Sequence, residues 1–291
     1  MNILISVNNK YLNQIKTALF SLSLFTNSNV TVYLMNHSLD GQDVISLKEY
    51  LKEKCNFNLI EIDVKKTALD SFPVYLHLSI ETYYRLLAQF LLPDTVDRIL
   101  WLDADVIIFK DITDFYNQDF DEQLLIACAD VNHNRQDILN VKKEIGISQN
   151  HLYFNAGIIL FNLEKLRKET TKQEILNTCQ KLKSKVVFMD QDILNYLYQC
   201  KVKYENPKKY NYQLTNDPLI EKKDLEDIHI LHYSGPNKPW DYKQFNKTSK
   251  YYWNIKIKQG CGIEYFKIIT IAAVYKIFMK VKRIYLKQAR T

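Results

Sequence analysis

The sequence predicts an α/β domain in which helices cover a mixed, mainly parallel sheet. Three observations point there. The first 64 residues alternate strand, helix, strand, helix, strand, the order of a parallel sheet with helical crossovers. The strand segments are short apolar runs, as expected of strands buried in a sheet. The chain has 291 residues, 47% hydrophobic and 25% charged, which is ordinary globular composition with enough apolar material for one large core.

NILISV (2–7) is an apolar run that ends at Asn8 and Asn9. Leu12 to Phe25 has helical periodicity, VTVYLMN (30–36) is strand-like, Asp40 to Lys54 is helical, and FNLIEIDV (57–64) is strand-like again. Leu78 to Leu91 is expected to be a helix with Ser79 as N-cap and Glu81 in its first turn, stopped by Pro93. Arg98 to Leu102 is a strand that runs into Asp103, and a short second strand follows Asp105. Leu124 to Ala129 is a strand ending at Asp130, and Tyr153 to Leu163 is another. Lys172 to Leu182 and Asp192 to Tyr198 are helical, with Asp192 expected as an N-cap. Ile228 to His232 is a short strand that stops at a histidine. Polar residues thus recur where strands end, at Asn8, Asp103, Asp130 and His232. In parallel sheets ligands bind at the carboxyl ends of strands, so this recurrence suggests one common site.

Composition narrows the function. The five cysteines form no CxxC pair and suggest neither a disulfide framework nor a thiolate zinc site. The start MNILISVNNKYLN lacks a basic region and a sufficient apolar run for a signal peptide, so a reduced, cytoplasmic setting is expected. Seven of the 39 basic residues lie in Tyr265–Thr291, which holds no acidic residue. The remaining 32 face 33 acidic residues, a balance that weighs against nucleic acid as a partner.

Asp103-Ala104-Asp105 interrupts the apolar run ILWLDADVIIF. Residues two apart on an extended chain project to one face, and two carboxylates there repel unless a cation sits between them. Oxygen ligands of this kind suit Mg²⁺ or Mn²⁺ and leave positions for phosphate oxygens. The tripeptide alone also fits capping or solvated aspartates. HYSGPNKPW (232–240) offers an imidazole, a glycine for close backbone approach and Lys238 between two prolines, a set that suits a diphosphate; taken alone, the segment is better explained as a surface turn with a lysine. Asn155 and Gly157 open an apolar strand, where Asn155 can bond a sugar hydroxyl or cap a turn. Asp190 and Gln191 precede a helix, and Arg85 can pair with a carboxylate or a phosphate. There is no G-x-G-x-x-G, P-loop, H-E-x-x-H or G-x-S-x-G.

Taken in order, ISVNNKY, HLSIETYYRL, ILWLDADVII, YFNAGIILFNL, MDQDILN and HYSGPNKPW make roughly residues 1–245 closely resemble glycosyltransferase family 8. The likeness is to bacterial lipopolysaccharide galactosyltransferases and glucosyltransferases and, more distantly, to glycogenin. It implies a GT-A fold and a retaining enzyme that moves glucose or galactose from a UDP-sugar to a saccharide or glycolipid hydroxyl. It implies Mn²⁺, with Mg²⁺ also fitting, held by Asp103, Asp105 and His232. Asn8 and Ala104 then fall in the nucleotide site, and Gly235 and Lys238 at the diphosphate. Arg85, Asp130, Asn155, Asp190 and Gln191 fall where the family binds donor sugar and acceptor, with His77 and Asp130 on the acceptor side. Gln191 stands nearest the anomeric carbon, and its amide is a poor nucleophile. Same-face attack by the acceptor is therefore the expected mechanism, with Asp190 as nucleophile the alternative.

The chain departs from the family in having Asn8-Asn9 where relatives carry an acidic pair, Ser6-Val7 before it, and Ala104 inside the D-x-D. Two other functions share the nucleotide requirement: a non-catalytic sugar-nucleotide-binding protein, and a sugar nucleotidyltransferase, whose Gly-rich N-terminal loop NILISVNNKY lacks. Residues 1–250 are expected to form the catalytic domain. Residues 251–291 form a basic, aromatic segment whose uncharged run Ile268–Tyr275 is too short to span a bilayer. It suits an anchor on an anionic membrane surface, the inner face of the plasma membrane, or else a helix packed on the body.

Overall fold

Side chains alternate along the central strands and send apolar residues into two cores, one on each face of the sheet. In β1 (Asn2–Ile5), Ile3 and Ile5 enter one core and Leu4 the other. In β4 (Arg98–Leu102), Leu100 and Leu102 separate in the same way from Ile99 and Trp101. Burial on both faces is the reason these strands read as unbroken apolar runs. The computed structural model describes residues 1–64, 80–215, 220 and 222–288, so Ser79 and His77 lie outside the described residues.

The sheet has seven strands in the order β3 (Asn58–Asp63), β2 (Thr31–Asn36), β1, β4, β7 (Phe154–Asn162), β6 (Leu125–Ala129), β8 (Val202–Glu205). β3, β2, β1 and β4 run parallel, β7 runs antiparallel between β4 and β6, and β8 is parallel to β6. This is the mixed, mainly parallel sheet that the sequence predicts. A second sheet joins β5 (Val106–Ile108), β10 (Ile230–His232) and β9 (Tyr212–Gln213), with β10 antiparallel to β5 and parallel to β9.

The helices Leu12–Ser23 and Lys172–Leu182 form where expected, the latter closed by a capping box between Thr171 and Glu174. The segment 40–54 is α-helical over Gly41–Tyr50 and loosens to a π turn over Leu51–Cys55, which Asn56 ends in the left-handed conformation (φ 57°). The expected α-helix over 78–91 is corrected: Ile80–Leu87 winds as a 3-10 helix and only Ala88–Leu91 as α. In that tighter winding residues three apart stack, so Glu81, Tyr84 and Leu87 share one side. Runs of this length are uncommon, and this one carries Arg85.

After the small sheet, the helix Ser249–Lys258 spans residue 250 and buries Tyr252, Trp253 and Ile255 in a third core with Ile107, Leu231 and Tyr233. The last helix, Gly262–Gln288, extends about 40 Å at 1.5 Å per residue. None of the described helices is long and apolar enough to cross a membrane.

Candidate active site

Strand pairing explains why three distant residues meet. β4 ends at Leu102, and the next amide, of Asp103, donates to the Gly157 carbonyl at 2.9 Å. Asp103 therefore leaves the sheet beside the start of β7. Across the small sheet Val106 of β5 stands opposite His232 of β10, and the Tyr233 amide donates to the Asp105 carbonyl at 2.9 Å. That ladder sets His232 Nε2 3.3 Å from Asp105 Oδ1. Ligand atoms of Asp103, Asp105 and His232 all lie within 4.8 Å of one another, the one such group of three among the described residues.

The donor set fits a hard divalent cation: two carboxylates and an imidazole, as Mn²⁺ or Mg²⁺ accept. The packing fits too. A Cβ at position 157 would lie 2.3 Å from His232 Cε1 and 3.0 Å from Asp103 Oδ2. Only glycine lets the ring and the carboxylate close on each other there.

Each aspartate also has a cation of its own. Lys238 Nζ lies 2.5 Å from Asp105 Oδ2 and 2.8 Å from the Tyr233 carbonyl. Burial pushes the Asp105 pKa up, but the Lys238 ammonium opposes burial and the carboxyl is held below the usual carboxylate range. Asp105 is thus ionised across the working pH range. Asp103 accepts from Trp101 Nε1 at 2.7 Å and faces Arg85 Nη1 at 3.3 Å. Arg85 is buried, stacks over the Trp101 ring at 4.2 Å, donates to the Ala156 carbonyl and places Nε 2.7 Å from Asp190 Oδ2. Burial pushes the Asp190 pKa up to about 6, against the pull of Arg85 and with a further push from Asp103.

A second cluster adjoins the first. The Asp130 amide donates to the Tyr153 carbonyl, which ties the end of β6 to the start of β7. Asp130 Oδ2 accepts from Asn155 Nδ2 at 3.2 Å and from Gln191 Nε2 at 3.4 Å. Gln191 Oε1 accepts from the Ala156 amide at 2.9 Å. The helix Asp190–Leu197 presents Asp190 and Gln191 from its first turn. Asp192 is not its N-cap, a correction to the sequence expectation: it lies inside the helix, where its carboxylate accepts from the Val187 and Phe188 amides and the Tyr153 hydroxyl. Those bonds pin the turn before the helix, where Met189 has φ 55° and ψ −124°, a conformation that side chains rarely adopt.

The other residues singled out in the sequence are placed as follows. Asn8 caps a 3-10 turn, its Oδ1 accepting from the Lys10 amide, and the Tyr11 ring of that turn stands 6.2 Å from Trp240 in the loop after His232. Gly235 adopts φ 87°, which requires glycine. Ala104 is half-buried between the two aspartates. His77 is outside the described residues. Sequence reasoning missed Trp101, two residues before Asp103 and so on its side of the strand, where period-two counting would have found it. It also missed Asn211 and Gln213. Gln213 Nε2 donates to the Ala129 carbonyl at 3.1 Å and its Oε1 accepts from the Val131 amide, bracing the loop that holds Asp130.

Residues 2–244 match the sequence profile of glycosyl transferase family 8. The chain belongs to that family. This family 8 glycosyltransferase is 27% identical over 263 residues to the glycosyltransferase GlyE of Streptococcus pneumoniae, covering 85% of the chain and 58% of GlyE. It is 27% identical over 200 residues to the lipopolysaccharide 1,3-galactosyltransferase of Salmonella typhimurium, covering 65% of the chain and 57% of that protein. The chain thus spans under three fifths of either relative. Its fold is that of the galactosyltransferase LgtC, solved in complex with donor and acceptor sugar analogues: TM-score 0.75 at 24% identity, over 88% of this chain and 95% of LgtC. The fold is GT-A, as the resemblance implies.

Proposed function

We propose that this enzyme transfers glucose or galactose from a UDP-sugar to a hydroxyl of a glycan or glycolipid, with retention at the anomeric carbon and with Mn²⁺ held by Asp103, Asp105 and His232. The observation that carries the reading is the convergence of those three side chains, from β4, the turn into β5 and the end of β10, within 4.8 Å. When bound, the ion supplies positive charge against the charge that develops on the departing diphosphate. Lys238, beside Asp105, adds a second positive charge there, and Gly235 lets the backbone approach closely. Asn8 and Ala104 border the nucleotide. Arg85, Asn155, Asp190 and Gln191 surround the donor sugar, and Asp130 with His77 serves the acceptor.

Retention by double displacement needs a free carboxylate at the anomeric carbon. Asp190 is buried against Arg85, and the Gln191 oxygen already accepts from the Ala156 amide. Both arrangements favour attack by the acceptor hydroxyl on the face the diphosphate leaves, its proton passing to the leaving phosphate oxygen. Incubation with UDP-glucose or UDP-galactose and Mn²⁺, with and without a chelator, tests the reading. Chelator-sensitive release of UDP is expected, with a retained anomer by NMR of the product. Metal-independent hydrolysis, or none with any UDP-sugar, contradicts it.

A pH dependence follows. Above about pH 6 Asp190 is ionised and anchors Arg85; below it the carboxyl is protonated and the ion pair is lost. The kcat/KM profile is therefore expected to fall on the acid side with an apparent pKa of about 6. An acid limb near the ordinary aspartate value of about 4 would rule this assignment out.

The terminal helix carries the second half of the proposal, a peripheral place on the cytoplasmic face of the plasma membrane. Its root packs on the body: Tyr265 lies over Trp253, Tyr275 against Tyr242, and Lys276 Nζ donates to the Phe245 carbonyl. Several of its described apolar side chains are open to solvent, Phe266 by 72% and Ile277 by 65%, with Phe278 and Val281 similarly bare. Lys280, Lys282 and Arg283 stand among them, and no acidic residue follows Glu264. Apolar bulk with one sign of charge suits an anionic interface. Truncation before Ile277 should abolish co-sedimentation with phosphatidylglycerol vesicles and leave turnover of a soluble acceptor intact. Retained binding by the truncated chain contradicts the placement.

A further inference from the structure

We propose that Asn211 is a positioning residue that holds His232 in the tautomer a divalent cation requires. The proposal rests on the metal reading above, although the hydrogen-bond logic starts from a backbone amide. Gly157 N–H donates to Asn155 Oδ1 at 3.0 Å. That atom must be an acceptor, which fixes the orientation of the Asn155 carboxamide. The buried carboxamide of Asn211 meets the same oxygen at 3.0 Å. Only an NH₂ satisfies an acceptor, so Asn211 gives Nδ2 to Asn155 and turns Oδ1 toward His232 Nδ1, 2.9 Å away.

An acceptor at that place requires the imidazole proton on Nδ1. Nε2 is then left with its lone pair, pointing among the carboxylates of Asp103 and Asp105. A lone pair facing two carboxylates is the donor set of a cation. Two asparagines thus transmit the direction of one backbone amide to a metal ligand 75 residues later. The same Asn155 carboxamide donates from its other end to Asp130 and Gln191, so one relay serves both the metal and the sugar side. Partners of this kind set ring orientation and ligand basicity, and their loss commonly lowers metal affinity about 10- to 100-fold.

The test uses the full chain labelled with ¹⁵N-histidine, without metal, at about pH 8. The His232 signal is assigned by its absence in His232→Gln. In the wild type it should be protonated at Nδ1. In Asn211→Leu the tautomer should become mixed, and Mn²⁺ affinity, read by EPR of the free ion, should fall about 10- to 100-fold. Asn211→Asp keeps an acceptor toward His232 and should keep the Nδ1–H tautomer. A wild-type ring protonated at Nε2 overturns the proposal, as does wild-type Mn²⁺ affinity in Asn211→Leu. If Asn211→Leu does not fold, the wild-type tautomer decides. If the wild type binds no Mn²⁺, the metal reading fails while the tautomer still tests the relay.

Discussion

Asp105→Asn is expected to abolish turnover while leaving the fold in place. The substitution keeps the size of the side chain and one oxygen, so the β5–β10 ladder that seats it is unaffected: its backbone carbonyl still accepts from the Tyr233 amide. What is lost is charge. Asp105 is the carboxylate nearest both His232 and Lys238, and its environment holds it ionised. A neutral amide removes one anionic ligand and turns an NH₂ or a single oxygen toward Lys238 Nζ. The loss should reach at least about 10³-fold in kcat, about 4 kcal/mol of barrier. It should be joined by loss of measurable Mn²⁺ binding in calorimetry. Wild-type rates in this variant would remove the metal assignment altogether.

Gly157→Ala should be nearly as damaging for a different reason. The added methyl would sit 2.3 Å from the His232 ring, far inside van der Waals distance, and in tight contact at 3.0 Å with Asp103 Oδ2. His232 is buried and hydrogen-bonded to Asn211, so the ring cannot retreat without breaking that bond. The strand continues, because Gly157 needs no unusual backbone angle. We expect a fold cost of about 1–3 kcal/mol from overpacking, read as a lower midpoint in denaturant. Mn²⁺ affinity should fall about 100-fold, and activity with it. Wild-type metal affinity in Gly157→Ala would show that His232 takes no part in binding the ion.

Much of this was legible in the sequence because burial leaves a plain mark. β1, β4 and β6 are covered on both faces, so they read as apolar runs, and the polar residue that follows each run is visible as an interruption. Asp103, Asp105 and His232 could be selected in this way, and the order of the motifs supplied the family. Their companions could not. Gly157 matters because of a ring that arrives 75 residues later, and nothing local marks it as a seat. Asn211 is a single polar residue between tyrosines, meaningful only once β9, β10 and β7 are adjacent. The 3-10 winding of Ile80–Leu87 escaped because spacings of three and four overlap over eight residues. In the tail, composition announced the exposed basic and apolar residues. The aromatic contacts of Tyr265 and Tyr275 that fasten its root come from tertiary packing.

The most direct measurement is anomalous diffraction at the manganese edge from crystals grown with Mn²⁺ and UDP. We predict one strong peak within coordinating distance, about 2.0–2.3 Å, of a carboxylate oxygen of Asp103, one of Asp105 and Nε2 of His232, shared with the UDP diphosphate. Bound UDP with no peak at these three side chains, or a peak held elsewhere, would contradict the account.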